Sequence, residues 1–405
     1  MTTTSRTPTG LLSVAQSLPA NFPLVIAAIA ISLGTQVFAQ DALNRDVTVS
    51  LEKRIKMPDV EKKSTLTTLT RLAWSEVTNQ IVVAPFASGQ QYIVNPDSGR
   101  AIEYNPRLNG IEDPKLMWSR KKPLLIGSRM TQTQILDTSR SPDEPPTLVR
   151  KIDNVLPHPL LVRGAALVEV DGDEWVVIAG ETNRQLDPSN PELVAHSIST
   201  GERTLAWQLP GDGASNYFYG VAAVANKGRV SVATWVNHYK EPTMQPSGLL
   251  MSELLPQMWI IRPQTKEAPC VIEPLRGAPR LPTFSTGPLA LSPDGTWLAF
   301  GEGQNDKVVH LHRAHDCAFE RDLPLGDGPR PSYLTFSPDG RWLLGTSPMH
   351  QGKEEGRIQL WRTSDWKLVY DGVMLLPYQA AFNKEGSRFA VATVGGIYVY
   401  RINQR

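Results

Sequence analysis

The stretch LTFSPDGRWLLGTSP, from Leu334 to Pro348, decides the fold of this chain. It consists of an apolar strand, a Ser-Pro-Asp-Gly turn and a second apolar strand. Proline presets φ at the first central position of a turn, and glycine accepts a positive φ at its end. The stretch therefore predicts a β-hairpin whose turn lies at Pro338–Gly340.

The same pattern occurs twice more, in LALSPDGTWLAFGEG from Leu289 and in AAFNKEGSRFAVATV from Ala380. Asp294 and Asp339 are 45 residues apart, and Asp339 and Glu385 are 46 residues apart. This period is typical of the four-stranded blades of a β-propeller.

A third strand follows each of these hairpins and ends in an aromatic residue or histidine before an arginine, as in Trp361-Arg362. Weaker copies of the unit occur upstream. Their second strands are also rich in β-branched and aromatic residues, which favours strands over helices. The seven third strands end at Val94, Leu136, Ile198, Ile261, His312, Trp361 and Tyr400. The sequence thus predicts an all-β fold, a seven-bladed β-propeller of four-stranded antiparallel blades.

The last blade has no fourth strand of its own, because the chain ends at Arg405 shortly after the third strand. Residues 46–57 read DVTVSLEKRIKM, in which Val47, Val49 and Leu51 alternate with polar residues as in a strand. We predict that this segment supplies the outer strand of the last blade, which closes the ring and covers an open sheet edge.

The two SPDG turns followed by Trp-Leu resemble those of bacterial WD-repeat-like and TolB-type propellers. The resemblance covers blades five to seven well and the first four blades only weakly. No blade carries the Gly-His pair of eukaryotic WD repeats, and no third strand ends in Trp-Asp. The resemblance implies a propeller architecture and leaves the function open, because propellers support many unrelated activities.

The N-terminal region has the pattern of a targeting segment. Residues 23–39 read PLVIAAIAISLGTQVFA, an uncharged run that ends in Val37-Phe38-Ala39. Small residues at the first and third of these positions favour signal-peptide cleavage before Gln40. We expect a signal peptide at 1–39, one propeller domain at 40–405, and a periplasmic or secreted protein without membrane insertion. The alternative is an inner-membrane protein anchored by this segment uncleaved.

The charge balance does not point to a nucleic-acid partner, because 41 basic and 40 acidic residues leave a net charge of +1. The sequence has no nucleophile elbow, phosphate-binding glycine loop or HExxH motif. We therefore predict no catalytic residue, no cofactor and no metal site. His310 and His312 lie two apart on one strand, but the repeat places them where other blades carry packing residues.

The chain has two cysteines, Cys270 and Cys317, which the repeat aligns near the start of the fourth strands of adjacent blades. A disulfide between them requires a Cα separation below about 7 Å. The outer strands of neighbouring blades diverge, so the alignment leaves both a disulfide and two buried free thiols open.

The long insertions fall between second and third strands, at Glu181–Glu192, Asn237–Gln257 and Ser347–Gly356. The resemblance places these connections on the same face as the loops between blades. Loops on a rigid scaffold commonly carry binding residues. Within the second insertion, Leu249–Leu255 is apolar and is interpreted as a short helix. The residues that we predict to bind a partner on this face are Tyr217, Tyr219, His238, Tyr239, Arg330 and His350.

Our functional hypothesis is an exported, non-catalytic and monomeric propeller that binds a protein partner or scaffolds an assembly in the cell envelope. The alternative is a propeller enzyme, either a lactonase-like hydrolase or a dehydrogenase subunit, with its site in the central channel. The lining of that channel discriminates between the two hypotheses.

Overall fold

Thirty β-strands make up the regular structure of the described chain, and they form seven four-stranded antiparallel sheets and one two-stranded ribbon. The structure, a computed structural model, describes residues 46–57, 69–85, 91–104, 115–129, 132–140, 144–153, 162–180, 193–207, 216–239, 243–244, 250–251, 254–265, 267–272, 288–301, 308–325, 331–348, 355–394 and 396–404. All of them lie in one unit, Gln40–Arg405.

Each four-stranded sheet is one blade, and in six of the seven blades the strands follow one another outward in chain order. Blade one comprises β2 (Leu69–Trp74), β3 (Ile81–Pro85), β4 (Gln91–Val94) and β5 (Ala101–Tyr104). Blade two comprises β6 (Lys115–Trp118), β7 (Leu124–Arg129), β8 (Gln132–Asp137) and β9 (Thr147–Asp153). Blade three comprises β10 (Val162–Val170), β11 (Asp173–Gly180), β12 (Leu193–Ser197) and β13 (Arg203–Trp207).

Blade four contains longer strands and the extra two-stranded ribbon. It comprises β14 (Asn216–Asn226), β15 (Arg229–Tyr239), β18 (Leu254–Ile261) and β19 (Cys270–Ile272), with β16 (Thr243–Met244) and β17 (Leu250–Met251) as the ribbon. Blade five comprises β20 (Leu289–Leu291), β21 (Trp297–Phe300), β22 (Val308–Arg313) and β23 (Phe319–Pro324). Blade six comprises β24 (Tyr333–Phe336), β25 (Trp342–Ser347), β26 (Glu355–Arg362) and β27 (Lys367–Leu375).

Blade seven is closed by the N-terminal strand, as the alternating pattern predicted. It comprises β28 (Ala380–Phe382), β29 (Arg388–Thr393), β30 (Gly396–Gln404) and β1 (Val47–Lys56). Strand β1 runs antiparallel to β30, from Val47 opposite Gln404 to Lys56 opposite Gly396. The predictions of seven blades and of a closing strand are both confirmed.

Polar contacts fix the closing strand at its centre, where the register shifts between Leu51 and Lys53. The Glu52 carboxylate accepts hydrogen bonds from the Arg388 Nε and from the Arg401 Nη2, each at 2.9 Å. The second guanidinium nitrogen of Arg388 donates to Asp97 of blade one at 2.9 Å. This network joins the closing strand to the last and the first blades.

The repeated turn has the hydrogen bonding that its residues predict. The Ser337 hydroxyl donates to Asp339 Oδ1 at 2.6 Å, and it accepts the backbone N–H of Trp342 at 3.0 Å. Gly340 has a φ of +71°, a conformation that glycine adopts without steric cost. In blade six, Arg362 at the end of the third strand also has a local role, since it donates to Asp365 Oδ2 at 2.6 Å in the following turn.

The hydrophobic core lies between the faces of neighbouring blades. One buried cluster joins blades six and seven and includes Trp342 and Phe389, and another joins blades seven and one and includes Ile55 and Ile81. Because a second strand is covered on both faces, all six residues of β25 are buried. This double burial explains why the second strands read as continuous apolar runs.

The first strands of the blades contact one another in a closed circle around a central channel. They run in the same direction, so the connections between blades and those between second and third strands leave at one end, here called the upper face. The turns between first and second strands lie at the other end, the lower face. No helix among the described residues is long and apolar enough to cross a membrane.

Candidate binding face and central channel

Blade four extends beyond the other blades on the upper face. Its second strand β15 has 11 residues, whereas the second strands of the other blades have four to eight. The last four residues of β15, Val236–Tyr239, pair with Asn216–Phe218 of β14 and with Leu254–Gln257 of β18. At a rise of about 3.3 Å per residue, these four residues add about 13 Å of three-stranded sheet.

The extension ends in the ribbon of β16 and β17, in which Thr243 pairs with Met251 and Met244 pairs with Leu250. The prediction of a short helix at Leu249–Leu255 is wrong, because Leu250–Met251 and Leu254–Leu255 lie in strands. The long strand β15 offers Leu254 and Leu255 cross-strand partners, and the proline at position 256 disfavours the helical conformation at Leu255 before it. We name the segment from Val236 to Gln257 the blade-four extension.

The structure brings four of the predicted binding residues together at the base and sides of this extension. Tyr217 pairs with Asn237 and Tyr219 with Trp235, while His238 pairs with both Asn216 and Leu255. Tyr239 ends β15 opposite Leu254. The other two predicted residues, Arg330 and His350, lie outside the described residues, as does the whole insertion at 181–192.

The base of the extension is rigidly packed. Trp235, Val236 and Met258 are buried, and the Trp235 ring makes an edge contact with Phe300 of blade five, with ring centroids 5.6 Å apart. Strand β19 pairs with Met258–Ile260 only.

The central channel has a volume of about 570 Å³ and is lined by the first strands of all seven blades. Its charged lining residues come from blades one and two: Arg71 and Lys115 lie toward the upper end, and Glu76 and Arg120 lie past the lower ends of β2 and β6. Among the described lining residues, Glu76 is the single carboxylate and there is no histidine.

A polar cluster lies where blades six, seven and one meet at the upper end of the channel. The Gln379 Oε1 accepts the backbone N–H of Leu72 at 2.7 Å, which links blade seven to blade one. Burial raises the pKa of the Tyr333 phenol, although hydrogen bonding with Gln379 and Thr335 and the positive charge of Arg71 oppose the rise. Tyr333 is therefore a neutral hydroxyl at physiological pH.

At the lower end, burial raises the pKa of Glu76, although the Arg120 guanidinium 3.7 Å away opposes the rise. The neighbouring carboxylate of Glu174 is 4% exposed and accepts the backbone N–H of Arg120 at 2.7 Å. It also accepts a hydrogen bond from the Ser119 hydroxyl. These contacts tie blade two to blade three, so Glu174 has a structural role.

The histidines of blade five pack inside the blade, as the repeat alignment indicated. His310 is 2% exposed and its Nδ1 lies 2.7 Å from Asp322 Oδ1. His312 lies 2.9 Å from the carbonyl of Cys317, and the Phe300 ring packs against both imidazoles. Within the described ranges, no group of three or more His, Cys, Asp or Glu side chains is placed to hold a metal ion.

A disulfide joins Cys270, the first residue of β19, to Cys317, whose Cα lies 6.2 Å away in the turn before β23. Cys317 has a φ of +59°, and this turn brings it toward blade four although the outer strands diverge. The bond links blades four and five, and Cys270 pairs with Ile260 of β18.

Sequence reasoning did not identify the channel cluster of Arg71, Lys115, Tyr333 and Gln379. These residues come one at a time from four blades, so no local motif marks them. Each of them lies at or near the start of the first strand of its blade. A repeat alignment that compared these equivalent positions across the blades could have grouped them. No family model and no curated protein matches this chain.

Proposed function

We propose that this protein is an exported propeller that binds another protein through the upper face, with the blade-four extension as the main contact. The observation that carries this proposal is the additional length of β14, β15 and β18, which continues a buried blade into a projecting sheet. Among the described residues, the strands of the other six blades lack this additional length, so a seven-bladed ring closes without it.

The extension suits protein recognition because it is rigid at its base. Ordering a loop on binding costs free energy, and a preorganised sheet avoids much of that cost. Tyrosine is enriched at interface hot spots. The register places Tyr239 on the extension and Tyr217 and Tyr219 on the neighbouring strand β14, opposite Asn237 and Trp235.

Two further observations support export. The apolar segment at 23–39 has the pattern of a signal peptide. Disulfides persist in oxidising compartments such as the periplasm, and the cysteine pair of blades four and five is bonded. We place the protein with the bacterial WD-repeat-like and TolB-type propellers, on the SPDG turns of blades five and six, and we propose a scaffolding role in the cell envelope.

The test compares partner capture by two variants of the full-length exported protein. In the first, an Asn-Gly turn replaces residues 237–256, which removes the extension. Because Val236 and Gln257 are cross-strand partners, a two-residue turn keeps the register of β15 and β18. In the control, Gly-Ser-Gly replaces residues 141–143 between β8 and β9, a connection on the lower face.

After in-cell crosslinking and affinity purification, the wild-type protein and the lower-face control are expected to retain the same co-purifying protein. The extension variant is expected to lose it while its thermal unfolding stays unchanged. Retention of the protein by a folded extension variant would refute the assignment of the interface.

A further inference from the structure

The turn between the third and fourth strands has the same geometry in blades one, three and five. In each of them a backbone N–H donates to the carbonyl five residues further on, at 2.9–3.0 Å: Asn95 to Arg100, Ser197 to Glu202 and Arg313 to Ala318. The residue before that carbonyl has a positive φ, which is +80° at Gly99, +81° at Gly201 and +59° at Cys317. Glycine adopts this conformation without steric cost, whereas a residue with a Cβ does not. Blade five thus has a cysteine where the two equivalent turns have glycine.

In the two blades that have a side chain at this turn position, that side chain contacts the preceding blade. In blade six the residue is Trp366, which has a φ of +57° and whose N–H donates to the carbonyl four residues back, as in blades one and three. The Trp366 ring makes an edge contact with Trp297 of blade five, with ring centroids 5.6 Å apart. In blade five the residue is Cys317, which is bonded to Cys270 of blade four. The steric cost at Cys317 is therefore offset by a covalent link between two blades.

The strand that this link holds is short. Strand β19 has three residues, whereas the outer strands of the other six blades have four to ten. Its pairing is limited to Cys270–Ile272 with Met258–Ile260. Because few backbone hydrogen bonds oppose the opening of so short a strand, its position depends strongly on the bond to blade five.

The surroundings of the disulfide reach the surface. Cys270 and Cys317 are both partly exposed, and their neighbours Val271 and Phe319 are 38% and 53% exposed. A small reductant can therefore approach the bond while the protein is folded. We propose that the Cys270–Cys317 disulfide is a site of reversible thiol–disulfide exchange with an external dithiol, and that its reduction frees β19 from blade five while the ring stays closed.

The exchange proceeds in two steps that balance. A thiolate of the dithiol attacks one sulfur of the pair, so that the bond between Cys270 and Cys317 breaks and a mixed disulfide forms. The second thiol of the dithiol then displaces the protein sulfur from the mixed disulfide. The protein gains two thiols, and the dithiol supplies both electrons and both protons and becomes a disulfide. The reverse exchange with an oxidised dithiol restores the bond.

Other contacts between blades four and five do not involve the sulfurs. The Trp235 ring contacts Phe300 in a buried cluster that joins the two blades. The Arg262 Nη2 donates to the carbonyls of Ala314 and His315, at 3.0 and 2.5 Å. These contacts hold the two blades together when β19 opens, so reduction is expected to cause local opening and not global unfolding.

The test measures hydrogen–deuterium exchange by mass spectrometry in the full-length exported protein, before and after treatment with dithiothreitol in the absence of denaturant. Alkylation with iodoacetamide counts the thiols released, and we expect both cysteines to react. Exchange at Met258–Ile260 and Cys270–Ile272 is expected to rise by at least about tenfold, because a disulfide commonly changes an opening equilibrium by more than this factor. Exchange in β25 and β29 of blades six and seven is expected to stay unchanged, and reoxidation is expected to restore the original rates.

The variant with both Cys270→Ala and Cys317→Ala controls for other effects of the reagent, and it is expected to exchange rapidly at β19 with and without dithiothreitol. If this variant does not fold, the comparison of the reduced and oxidised wild type still decides the matter. The proposal is overturned if thiols appear only after denaturant is added, if reduction leaves the exchange of β19 unchanged, or if protection is lost in all seven blades together. These measurements are independent of partner capture by the blade-four extension.

Discussion

Replacing Ile55 by alanine is expected to destabilise the ring by about 2–5 kcal/mol, the usual cost of truncating a buried isoleucine. Ile55 lies on the closing strand opposite Ile397, is 2% exposed, and packs in the cluster that joins blades seven and one. The truncation therefore leaves a cavity at the seam where the two ends of the chain meet. The matched control is Leu51→Ala, because Leu51 lies on the same strand and is 53% exposed.

The assay is equilibrium unfolding in guanidinium chloride, followed by the fluorescence of the ten tryptophans. The Leu51 variant is expected to stay within about 0.5 kcal/mol of the wild type, as exposed substitutions usually do. Equal stabilities for the Ile55 variant and the wild type would show that residues 46–57 do not close the ring. A large loss in both variants would show that the strand has a different register.

Three further predictions concern other contacts. Changing both Cys270 and Cys317 to alanine should lower the free energy of unfolding by about 2–4 kcal/mol. Reductant should then no longer destabilise the variant. Equal stability of the variant and the oxidised wild type would contradict this prediction. Burial lowers the pKa of His196 and of His312 below 6.5 in the folded protein. The unfolded state therefore takes up protons first as the pH falls. Below pH 6.5 the free energy of unfolding should decline by up to about 1.4 kcal/mol per pH unit for each histidine. Urea unfolding across this pH range should show a shallower decline for the variant in which glutamine replaces both His196 and His312. An unchanged slope of the unfolding free energy against pH would refute the assignment of the decline to these two histidines. Glu52→Gln should cost about 1 kcal/mol, because its carboxylate accepts two arginine hydrogen bonds at a partly exposed site; a stability within error of the wild type in a thermal melt would show that these bonds are not stabilising.

The repeat made most of the fold predictable from the sequence. A turn such as Ser337–Gly340 is specified by its own residues, and a regular period then places the strands of every blade. The closing strand was predictable because Val47 and Val49 alternate with polar residues while the last blade needs a partner. The turn and the alternating pattern each depend on residues that are neighbours in the sequence, and the structure contains both the turn and the closing strand.

The features that the sequence did not predict depend on contacts between distant segments. Leu249–Leu255 is a short apolar run, for which hydropathy cannot distinguish a helix from a strand, and pairing with β15 decides the outcome. The channel cluster joins Arg71 to Tyr333 and Gln379 across more than half of the chain. The disulfide depends on the turn at Cys317, which a strand alignment does not represent.

Site-specific photocrosslinking from the blade-four extension tests the proposed function most directly. A photoreactive amino acid at Tyr239 is compared with the same amino acid at Val149, an exposed residue on the outer strand β9 of blade two. The proposal predicts that the exported protein forms one discrete adduct with another polypeptide from position 239 and none from position 149. An adduct from position 149 alone, or no adduct from position 239 in cells that contain the folded protein, would contradict it.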